Sequence, residues 1–123
     1  MSLAALRGLI AAVLLTWTAL EPLPAAAHAI VVSASPADGA VLASGDAPVV
    51  LRFNNRIDHE RSRLSLIAAD GSMTILPLDP AATTDSLVAR LVGLQPGQYR
   101  LRWQVLALDG HITRGDIPFT VKP

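Results

Sequence analysis

The sequence predicts an all-β domain, an immunoglobulin-like Greek-key sandwich or barrel of about seven strands, behind a cleavable signal peptide. Three observations carry that reading. Apolar and polar residues alternate with period two in several short runs, turn residues punctuate those runs, and no stretch sustains a helical period. The chain has 123 residues and no cysteine, so a single modest core must form without disulfides.

The first residues differ from the rest. Arg7 precedes an apolar run over residues 8–20, GLIAAVLLTWTAL, after which Glu21, Pro22 and Pro24 break any helix. Ala25-Ala26-Ala27 satisfies the small-x-small rule of signal peptidase. The run falls short of the about 20 apolar residues that span a bilayer, and the Ala triplet sits where cleavage is expected, so a retained anchor is the weaker alternative. The predicted division is a signal peptide over 1–27 and one domain over 28–123, with no membrane anchor after cleavage.

Cleavage removes Arg7 and Glu21 from ten basic and ten acidic residues, so nine of each remain and the domain is neutral. Nucleic acid and anionic membranes both call for a basic patch, and net neutrality argues against them as partners. The expected species is a periplasmic monomer.

Within the domain, AIVVSAS over 29–35 is the first predicted strand, closed by the turn chemistry of PADGA. Over 48–54, Val49, Leu51 and Phe53 share one face while Arg52 points away. Leu64 and Leu66 repeat the alternation over 62–68, and Asp70-Gly71 turns the chain into 73–78. Over 85–94, Leu87, Ala89 and Leu91 line one side. The longest predicted strand, 97–108, alternates Tyr99, Leu101, Trp103 and Val105 with Arg100, Arg102 and Gln104, and 116–121 closes the domain. LQPGQY ahead of the long strand matches a tyrosine corner, whose hydroxyl bonds back to nearby backbone.

Three histidines occur, His28, His59 and His111. If the chain is cut after Ala27, His28 offers its free α-amine and its imidazole Nδ1, which together close a chelate ring on a metal. In LDGHITRG, an extended backbone would project Asp109 and His111 to the same face, with Gly110 allowing close approach. One amine, two imidazoles and one carboxylate, with no sulfur, favour Cu(II), while zinc and nickel compete on donor type. Such donors bind deprotonated, so affinity falls on acidification. The competing reading of D-G-H is a plain turn in which Asp109 accepts backbone hydrogen bonds. His59, between Asp58 and Glu60, reads as part of a solvated connection outside the site. Met73 is the only methionine in 28–123, which counts against a soft thioether Cu(I) site.

These segments resemble the CopC family of periplasmic copper-binding proteins. The matching pieces are AHAIVVSASPADGAVL, VVLRFNNRID and LQPGQYRLRWQVLALDGHITRGDIPFTV. The resemblance implies a Greek-key β-barrel or sandwich with a Cu(II) site similar to a histidine brace, formed by His28, Asp109 and His111. It also implies a role in copper resistance and homeostasis, beside an inner-membrane copper transporter of the CopD type. Two other function classes stay open on the sequence. One is an oxidative copper enzyme resembling the lytic polysaccharide monooxygenases, and the other a metal-free immunoglobulin-like interaction module. A non-enzymatic carrier or buffer ranks above both, because three or four protein donors leave little room for a substrate.

Overall fold

The structure, a computed structural model, describes residues 29–123; the predicted signal segment and His28 lie outside the described residues. Strands β1 (Val31–Ser35), β3 (Gly45–Phe53) and β6 (Ser86–Leu94) make one sheet, in the order β1-β3-β6. Strands β2 (Ala40–Leu42), β4 (Ile57–Ala68), β5 (Met73–Ile75), β7 (Gly97–Ala107) and β8 (Ile112–Val121) make the second, in the order β2-β8-β7-β4-β5. The chain changes sheets between β1 and β2, β2 and β3, β3 and β4, β5 and β6, and β6 and β7, which produces the predicted sandwich.

Period-two alternation builds the core. Val49, Leu51 and Phe53 of β3 and Leu87, Ala89 and Leu91 of β6 face Leu64, Leu101, Val105, Ile117 and Phe119 of the larger sheet, all buried. Phe53 meets Trp103 edge-to-face across the sandwich, with ring centroids 5.3 Å apart. Tyr99 stacks on Phe119 and donates its hydroxyl to the Gln95 carbonyl at 2.7 Å, the tyrosine corner expected from LQPGQY. Trp103 lies directly across from Gly115 in the β7–β8 ladder. A Cβ at position 115 would stand 2.7 Å from Trp103 Cζ2, so glycine is what lets the indole lie on the β8 backbone. No buried side-chain nitrogen or oxygen among the described residues lacks a partner, as a core without disulfides requires.

Two local departures have physical reasons. Strand β2 runs parallel to β8 and was not among the predicted strands, because three residues are too few to display a period. Strand β4 begins at Ile57 and takes in His59, which the sequence had placed in a connection. The β4–β7 register shifts between Asp58 and Arg63, and that bulge hides the alternation. Ser62 fastens it by donating its hydroxyl to the Asp58 carbonyl and accepting the Leu106 N–H.

Candidate metal centre

Strands β7 and β8 are joined by a tight hairpin whose tip is Leu108-Asp109-Gly110. The Ala107 N–H donates to the His111 carbonyl at 2.9 Å, and the Gly110 N–H donates to the Ala107 carbonyl at 3.0 Å. Gly110 has φ of 89°, left-handed backbone that glycine adopts without strain, as three-residue hairpin loops require. The expectation of an extended D-G-H segment is therefore corrected: these residues form a turn. Asp-Gly turn chemistry overrides the strand geometry of the flanking residues.

The turn still unites the two side chains. Asp109 Oδ1 accepts the His111 backbone N–H at 3.0 Å and lies 3.3 Å from His111 Nδ1. The His111 side chain is 54% exposed and that of Asp109 37%, so the pair faces solvent at the end of the sandwich. A carboxylate against one ring nitrogen fixes the orientation of an imidazole, the arrangement that metal-ligating histidines use.

The start of the described chain is pegged to the same end of β8. The Thr113 hydroxyl donates to the Ala29 carbonyl at 2.9 Å, and Ala29 is buried. Asn54 clamps the next residue twice. Its Oδ1 accepts the Ile30 N–H at 2.8 Å, and its own N–H donates to the Ile30 carbonyl at 3.0 Å. Sequence reasoning had not singled out Thr113 or Asn54, since a threonine in a strand and an asparagine after one are unremarkable until their cross-chain partners are known.

Of the three predicted site residues, the structure brings Asp109 and His111 together, and His28 is outside the described residues. Among the described residues no group of three or more His, Cys, Asp or Glu is gathered. His59 is committed elsewhere. Its Nε2 lies 2.7 Å from the Ser86 carbonyl, and since a carbonyl only accepts, that nitrogen carries the proton and donates.

A CopC domain model matches residues 31–122. The chain belongs to the CopC family. Copper resistance protein C of Xanthomonas campestris pv. juglandis is 31% identical, with 96% of this chain and 98% of that protein aligned. Among solved structures, CopC from Methylosinus trichosporium OB3b superposes with a TM-score of 0.70 at 30% identity, covering 78% of this chain and 95% of that one. The methionine-rich copper resistance protein PcoC of Escherichia coli superposes with a TM-score of 0.60 at 28% identity, over 77% of this chain and 99% of that one. This CopC-family chain differs from the latter in composition, with two methionines in the whole sequence and only Met73 after residue 27.

Proposed function

We propose that this CopC-family chain is exported through a cleaved signal peptide, residues 1–27, and that residues 28–123 serve in the periplasm as a monomeric, non-enzymatic Cu(II) carrier or buffer. His28 contributes its α-amine and imidazole, and the β7–β8 turn contributes His111 and Asp109. Asp109 either completes the donor set or holds the His111 ring by accepting from Nδ1; both roles need the observed proximity. The observation that carries the reading is the exposed pair of Asp109 and His111 at 3.3 Å, in the turn that leads into the strand whose Thr113 grips the Ala29 carbonyl. The residue bonded to Ala29 is His28. The relatives are named as copper resistance proteins, and a nitrogen-rich donor set with one oxygen favours cupric ion. An inner-membrane transporter of the CopD type is the proposed source or recipient of the ion.

The test is mass spectrometry of the exported protein with and without Cu(II), joined to a fluorescence titration of Trp103, the only tryptophan after residue 27. The expected result is a first residue of His28, one copper per chain and quenching that saturates at one equivalent. Inserting Gly-Ser between Ala27 and His28, so that processing leaves the histidine internal, is expected to weaken copper binding by at least about 100-fold. Equal binding by that variant removes the amine from the site. Sustained peroxide formation by the copper-loaded protein with a reductant, coupled to polysaccharide cleavage, would make the protein an enzyme instead.

A further inference from the structure

Net neutrality conceals a segregation of charge. On the outer face of the larger sheet, Arg63 of β4, Arg100 and Arg102 of β7 and Arg114 of β8 point away from the core with Asp116 among them, while Asp58, level with Leu106 toward the β7–β8 turn, is paired with Arg61. Arg63, Arg102, Arg114 and Asp116 line an open groove of about 640 Å³ with Met73 and Ile75 as an apolar wall, both more than half exposed. Within the groove three arginines thus meet one carboxylate, a local excess of two positive charges. The groove is on the sheet face, away from the Asp109–His111 turn.

Asp116 shows what the groove accepts. Arg102 holds its carboxylate in a fork, Nε to Oδ1 at 2.9 Å and Nη2 to Oδ2 at 3.1 Å, and Arg100 adds Nη1 at 3.1 Å. The Arg102 guanidinium holds the Asp116 carboxyl below its ordinary value. Among the described residues Arg63 and Arg114 make no ion pair, and they flank Gln104 in one row across three strands. Two strand spacings separate their backbones by roughly 10 Å. An extended peptide presents alternate side chains on one face roughly 7 Å apart, within reach of both.

We infer that this groove is a docking surface for an extended, acidic segment of a partner protein, with successive carboxylates taken by Arg63 and Arg114 and apolar side chains laid on Met73 and Ile75. Nucleic acid fits the face less well, because Tyr99, Trp103 and Phe119 point inward and leave no aromatic platform for bases. A uniform anionic membrane fits less well too, because Asp116 sits amid the arginines and repels a continuous negative surface, whereas a peptide can place a neutral residue there.

The test is fluorescence anisotropy of a labelled extended decapeptide of Glu, Thr and Val, with Glu at two alternate positions of one face and Thr or Val at the others, titrated with the exported protein at low salt and at about 150 mM salt. The expected result is saturable binding that weakens with salt and vanishes when Gln replaces Glu in the peptide. Arg63→Gln with Arg114→Gln is expected to weaken binding about tenfold, while Arg52→Gln with Arg90→Gln, on the opposite sheet, leaves it unchanged. Asp116→Asn releases Arg100 and Arg102 and is expected to tighten binding severalfold, a gain that misfolding cannot imitate. Equal affinity in the Arg63/Arg114 variant, no gain in Asp116→Asn, or tighter binding of single-stranded DNA or phosphatidylglycerol vesicles than of the peptide overturns the inference. His111→Ala is expected to bind the peptide as the parent does, so failure here and failure of the copper reading are separable.

Discussion

His59 and His111 each follow closely on an aspartate in the chain, and the fold gives them opposite environments. His59 sits in the bulged start of β4, half-buried, with Nε2 donating to the Ser86 carbonyl of β6. Its bond therefore ties the larger sheet to the smaller one. His111 sits at a hairpin tip, more than half exposed, with its ring against the Asp109 carboxylate. Each ring has one nitrogen spent on an oxygen, but the His59 ring is part-buried between the sheets, whereas the His111 ring is exposed at the hairpin, where a metal can approach it. Sequence neighbours look alike at the two positions; the partner across space makes the difference.

The sharpest test of that contrast is copper affinity. His111→Ala is expected to lower it by more than about 100-fold by Trp103 quenching, and His59→Ala to leave it unchanged. Equal losses in the two variants would erase the distinction. Asp109→Asn comes next, with about a 10- to 100-fold loss, since the amide neither binds cupric ion well nor accepts from the ring as a carboxylate does. The reverse ranking holds for stability. His59→Ala is expected to cost about 1–3 kcal/mol in urea unfolding, because the Ser86 carbonyl loses its donor in a part-buried site, while His111→Ala costs little. The smallest effect is that of Asp116. Its carboxyl titrates below the ordinary 3.8, chiefly through the Arg102 hydrogen bond. A depressed folded value contributes stability that is present above the unfolded value and lost as pH falls through the folded one. The thermal midpoint of Asp116→Asn should therefore fall slightly below that of the parent at neutral pH, and the gap should close as pH falls through the depressed Asp116 value.

Much of the fold was legible because half-buried strands write their orientation directly into the chain. Val49, Leu51 and Phe53, or Leu101 and Val105, can be assigned to one face by period alone, and all are buried. Tyr99 was legible for a different reason, since a corner tyrosine makes a local bond, to a carbonyl four residues back. The bulge at Ser62 and the short parallel strand β2 escaped, because neither has a local signature. The candidate site divides the same way. Asp109 and His111 are local to each other and were readable, even though a turn rather than a strand unites them. The pegs at Thr113 and Asn54 join residues 84 and 24 positions apart and could not be read.

By itself the sequence determined which side chains are inward, where the chain turns and which nitrogen and oxygen donors exist, because each depends on neighbours within a few bonds. Only the tertiary structure decided that His59 is spent inside the sandwich, that Ala29 is fastened two residues beyond His111, and that four arginines of a neutral domain share one face. Those outcomes depend on strand order and register, which bring together residues that no local pattern relates.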